Sequence, residues 1–67
     1  MIDVYVVREP LGSVIGLSIF SHSRALDDAD LMGDLPRSAY YQLLQDFENK
    51  TEAEYRGYTL KKEKFSL

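Results

Sequence analysis

Cysteine and tryptophan are absent from this 67-residue chain, histidine occurs once and proline twice. Without cysteine there is no disulfide framework, no thiolate metal site and no cysteine nucleophile. The glycines at 12, 16, 33 and 57 are too far apart for a phosphate-binding loop. No apolar run approaches the ~20 residues of a membrane-spanning helix. The opening residues Met1-Ile2-Asp3-Val4 lack the basic and long apolar regions of a secretory signal. These absences predict a cytoplasmic protein without a membrane partner or cofactor.

What is there suits a folded domain. The chain is 45% hydrophobic, too much for wholesale disorder, and its length allows one domain, residues 1–67. A domain this small buries only about 60% of its unfolded surface. Association with itself or with a target is therefore an expected source of stability. A net charge of −3 argues against a large nucleic-acid footprint. The charge is uneven. Residues 1–34 hold six carboxylates against two arginines, and residues 35–67 hold five against six bases. Asp27, Asp28, Asp30 and Asp34 fall together.

Ile2 to Arg8 is rich in β-branched residues and reads as a strand. Glu9-Pro10-Leu11-Gly12 is a turn, with Pro presetting φ. Val14 to Phe20 is a second strand whose apolar face, Ile15, Leu17 and Ile19, is expected to meet the helices. Gly16 signals a bulge or a close backbone approach. Ser21-His22-Ser23 offers helix caps for a short helix over Arg24 to Met32, closed by Gly33. Its late aspartates oppose the helix dipole, which leaves residues 21–35 open between helix and loop. Asp34 or Leu35 caps the next helix, with Pro36 in its first turn. Tyr40, Leu43, Leu44 and Phe47 recur at i, i+3, i+4, i+7, an amphipathic stripe. Thr51-Glu52-Ala53-Glu54 matches a capping box, read as a single turn or a loop. Tyr58 to Phe65 is the last strand, with a bulge near Lys61–Lys64 to reconcile Leu60 with Phe65. The expected fold is α+β, a small antiparallel three-stranded sheet in β-β-α-α-β order. One main amphipathic helix packs on one face.

Chemistry-bearing groups are few. His22 is flanked by Ser21 and Ser23, but no nucleophile-elbow pattern surrounds them, and a first-turn histidine is the default. A calcium loop started at Asp28 places Gly33 at position 6 but Ala39 at position 12, where the bidentate glutamate belongs. No metal is expected. Neither is catalysis. The aspartates at 27, 28, 30 and 34 remain as a face that raises local negative potential and speeds encounter with a basic partner. Tyr41, at the margin of the stripe, is the candidate aromatic anchor. Arg56, Tyr58, Lys61 and Lys62 form the alternative, a basic-aromatic strand for single-stranded nucleic acid, diluted by Glu52, Glu54 and Glu63. A homodimer through a free sheet edge is a further expectation.

The succession Ile2-Asp3-Val4-Tyr5-Val6-Val7, a short turn, Val14-Ile15-Gly16-Leu17-Ser18-Ile19-Phe20-Ser21 leading into an alanine-containing helix, and a tyrosine-containing last strand resembles the small proteins encoded by phages and prophages. The resemblance covers roughly residues 1–32 and 58–67, and segment 33–50 departs from it. It implies a non-enzymatic inhibitor or modulator of host machinery, of the anti-defence (anti-CRISPR-like) or polymerase-modulating kind. The partner it implies is a host protein or nucleoprotein complex with a basic surface, met in the host cytoplasm.

Overall fold

The computed structural model describes residues 1–48 and 51–66. Its elements are β1 (Ile2–Arg8), β2 (Val14–Ser18), α1 (His22–Leu31), α2 (Arg37–Phe47), β3 (Glu52–Tyr55) and β4 (Tyr58–Phe65). The strands form one antiparallel sheet in the order β2-β1-β4-β3. The three-stranded β-β-α-α-β expectation is thus corrected to four strands in β-β-α-α-β-β order, with two helices rather than one main helix on the covered face.

The strand missing from the expectation is β3, where the Thr51–Glu54 spacing predicts a capped turn or loop. Ala53 decides otherwise. It is buried beside its cross-strand partner Leu60, while Glu52 and Glu54 face away. Arg56 and Gly57 close the β3–β4 hairpin with φ of 51° and 90°. Positive φ at both central residues is the geometry of a type I′ turn, which matches the twist of the flanking strands. Arginine in place of the usual Asn or Asp hides this turn from the sequence. Its guanidinium lies 5.5 Å from the Tyr55 ring.

The second correction concerns which side of β2 meets the helices. Leu17 and Ile19 are 47% and 56% exposed, and Gly16 and Ser18 face the core instead. Of the three expected residues only Ile15 packs against the core, beside the register shift between Val7 and Arg8. The cause is the closeness of α1. A Cβ at Gly16 would collide with the Ala25 carbonyl oxygen and stand 2.8 Å from the Ala29 nitrogen. Glycine on the strand and two alanines one turn apart on the helix let the two backbones approach. The core then closes with Val7 and Leu60 from the sheet, Leu26 from α1, Leu35 from the linker, and Ala39 and Leu43 from α2.

Local signals set the helix ends. The Ser21 hydroxyl accepts the Arg24 N–H at 3.2 Å and starts α1 two residues earlier than expected. At the other end the Gly33 N–H bonds the Asp30 carbonyl and the Asp34 N–H bonds the Ala29 carbonyl. That pair of bonds is a Schellman motif with Gly33 at C′. Pro36 precedes α2, and its carbonyl accepts the Tyr40 N–H.

Among the described residues no helix covers the opposite sheet face, yet Val4 and Val6 are buried there. The register places Arg8 beside Thr59 and Glu63 beside Val4. The Arg8–Glu63 pair, with two contacts of 3.2 Å, therefore reaches across the row of Val6 and Lys61. Arg8 Nη1 also donates to the Gly12 carbonyl at 2.8 Å. The hydrogen bonds to Glu63, and secondarily its charge, raise the arginine pKa above its ordinary value. The expected bulge in β4 does not occur. Pairing with β1 runs unbroken from Thr59 to Phe65, and Phe65 lies on the uncovered face.

Gly16→Ala is expected to destabilise the domain by about 1–3 kcal/mol, because backbone atoms rather than a flexible side chain block the new methyl. Urea unfolding reads this as a lower midpoint. An unchanged midpoint would show that α1 does not sit directly on β2.

Candidate functional site

The sequence brings four aspartates together, and the structure divides them. Asp27 and Asp30, one turn apart on α1, lie toward α2. The Tyr40 hydroxyl donates to Asp27 Oδ1 at 2.5 Å and ties the two helices. Tyr41 follows with its ring edge-on to Tyr40 at 5.4 Å, and it is exposed. Asp34 stands at the helix exit in the Schellman turn, also exposed. Asp28 points elsewhere. Its Oδ2 accepts the Leu17 N–H at 3.3 Å, at the outer edge of β2.

Tyr40 reads from its spacing as a core residue, and the structure gives its hydroxyl a second task. The hydrogen bond to Asp27 is the main reason its pKa rises to about 12, followed by burial and the negative charges of Asp27 and Asp30. The signal that could have revealed this is a tyrosine rather than a phenylalanine at the end of an apolar stripe.

The electrostatics of this seam are unbalanced. α1 has no basic residue in its last turn and no acidic residue in its first. Its aspartates crowd the negative end of the dipole, where carboxylates are disfavoured. Asp27 and Asp28 are compensated by hydrogen bonds. Among the described residues, Asp30 and Asp34 have neither an ion pair nor a side-chain hydrogen bond. The result is two uncompensated carboxylates, Asp30 facing Tyr40 and Asp34 at the exit of α1, with the exposed Tyr41 ring packed on Tyr40.

The alternative basic-aromatic set does not form one surface. Arg56 sits in the hairpin turn, and Tyr58 is half-buried opposite Tyr55. Lys61 is on the uncovered face, 3.7 Å from Glu52. Lys62, one residue on, points to the other face, its Nζ 5.7 Å from the Tyr5 ring. A shallow cleft of about 130 Å³ opens there between Tyr5, Phe47, Thr51 and Lys62.

His22 opens α1 and is half-buried against Phe47, with ring centroids 4.7 Å apart, and edge-on to Tyr5 at 6.1 Å. Ser21 and Ser23 share a 3.2 Å contact with each other. The imidazole thus packs within an aromatic group. Among the described residues no three His, Asp or Glu side chains gather to hold a metal ion. No helix among them is long and apolar enough to cross a membrane.

Comparison with known protein families, with characterised proteins and with solved structures finds no match to this chain.

The Tyr40–Asp27 bond has a defined pH signature. Its folded pKa, about 12, lies above the unfolded value near 10. The bond's contribution is full below pH 10 and is lost as pH rises through about 12. Tyrosinate absorbance should show a step near pH 12 that Tyr40→Phe removes. The same substitution should cost about 0.5–1.5 kcal/mol near neutral pH. Absence of a step near pH 12, or its survival in Tyr40→Phe, would refute the assignment.

Proposed function

We propose that this chain is a non-enzymatic docking protein that uses the α1–α2 seam to engage a basic surface on a larger macromolecule. Asp30 and Asp34 supply the charge, Tyr41 supplies an aromatic anchor, and the Asp27–Tyr40 bond holds the two helices that carry them. One observation supports this reading above the others: Asp30 and Asp34 sit at the wrong end of a helix dipole without a compensating group among the described residues. A cationic partner would relieve that arrangement, and uncompensated exposed charge accelerates encounter with such a partner. Tyrosine at the border of the charge follows the pattern of binding hot spots.

The phage resemblance narrows the choice of partner to host machinery, with a host protein or nucleoprotein complex as its first candidate and inhibition or modulation as the outcome. The nucleic-acid alternative draws less support, since Lys61 and Lys62 face opposite sides of β4.

Bacterial lysate passed over the immobilised protein and over an Asp30→Ser, Asp34→Ser, Tyr41→Ala variant tests the proposal. The expected result is a species retained by the native protein, released by raised salt and missing from the variant. Retention by both proteins alike, or release insensitive to salt, would refute the acidic seam as the docking surface.

A further inference from the structure

Both edges of the sheet are guarded against self-association. On β2 the Leu17 N–H is already taken by Asp28. On β3 a two-fold pairing that keeps the helix layers on one side must match residues of like parity. Every such register that pairs two or more β3 residues sets Glu52 or Glu54 against a glutamate of the second copy, and like charges directly opposite repel.

The outer face of α1 is different. Arg24 and Leu31 are seven residues apart, two turns, and lie opposite the buried Ala25, Leu26 and Ala29. Asp28 flanks them on the β2 side, one turn beyond Arg24, with Oδ2 on the Leu17 N–H and Oδ1 without a hydrogen bond among the described residues. Phe20 precedes the helix at 71% exposure, and Leu31 and Met32 end it at 84% and 69%. The face therefore runs apolar, basic, acidic, apolar. Laid antiparallel against a second copy, that order is self-complementary. With Arg24 opposite Asp28 of the second copy, the same register sets Phe20 against Met32 and Ser21 against Leu31.

A second observation agrees. Arg24 lies in the first turn of α1 and Asp30 in the last, the reverse of what the dipole favours. Arg24 has no carboxylate partner among the described residues, and its guanidinium rests 5.1 Å from the Phe20 ring. Antiparallel helices bring the start of each beside the end of the other, so the dipoles are offset and Arg24 gains the carboxylate partner it lacks.

We infer that this protein forms a two-fold dimer through the outer face of α1, with Arg24 of each copy against Asp28 of the other and the exposed Phe20, Leu31 and Met32 closing the ends. Such a contact is isologous and closes on itself. It leaves Asp30, which faces α2, Asp34 at the exit of α1 and Tyr41 on α2 free for a different partner, and it does not rest on the docking proposal.

Sedimentation equilibrium at about 1 mM chain, where even weak pairing is populated, tests the inference. The native protein should have twice the mass of one chain. Arg24→Glu and Asp28→Lys should each weaken self-association by about tenfold or more, because both symmetric contacts become repulsive. An equimolar mixture of the two variants should recover dimer. Across the mixed interface the two substituted side chains attract each other, and the native Asp28 of one variant meets the native Arg24 of the other. Leu31→Lys alters only an exposed side chain and should also abolish pairing, which keeps the test decisive should Asp28→Lys unfold β2. A native monomer overturns the inference. So does a dimer that survives both Arg24→Glu and Leu31→Lys, and so does a mixture of folded variants that stays monomeric.

Discussion

The structure depends on one close approach, that of the α1 backbone to the β2 backbone over Gly16. No side chain fits between them. Because Gly16 must face the helix, Leu17 beside it faces the other way, and Ile15 escapes that alternation only through the register shift between Val7 and Arg8. The same contact brings Asp28 of α1 to the edge of β2, where it takes the Leu17 amide. It also fixes which stripe of α1 is buried, and so which residues, Arg24, Asp28 and Leu31, are left outward.

The elements that could be read from the sequence are those whose signals are local. The turn after Glu9, the Ser21 cap, the Gly33 stop and the stripe on α2 each depend on a few adjacent residues, and each is found where the pattern places it. What could not be read depended on partners distant in the chain. Hydrophobicity favours Leu17 and Ile19 as the inner face of β2, and only the lack of space above Gly16 reverses that choice. β3 is four residues long with one buried side chain, Ala53, too little for periodicity to register. The turn that pairs it with β4 uses arginine at a positive φ, where composition gives no warning. The aspartates were visible as a cluster, but a linear cluster on a helix points in several directions. Asp27, Asp28 and Asp30 accordingly have three different surroundings. Lys61 and Lys62 are parted by the simpler alternation of a strand.

The uncovered face shows how a short chain manages a sheet with one helical layer. Val4 and Val6 sit on the side without helices and are nonetheless shielded. The Arg8–Glu63 pair crosses the row of Val6, and the hydrocarbon stems of such residues exclude water while their ends satisfy each other. Charge on that face is largely spent within the molecule, in this pair and in Lys61–Glu52. Arg24 and Asp30 of α1 have no ion pair among the described residues, and both proposed surfaces draw on that helix.

The strand order has a consequence for how the molecule comes into being. β1 is bordered by β2, its neighbour in sequence, and by β4, its most distant counterpart, with Ile2 against Phe65. During synthesis the β1–β2 segment thus leaves the ribosome well before the strand that completes the sheet's centre. Neither hairpin seals the interior by itself. Completing the sheet needs this long-range closure, and its entropy cost slows folding relative to a fold built from local contacts alone.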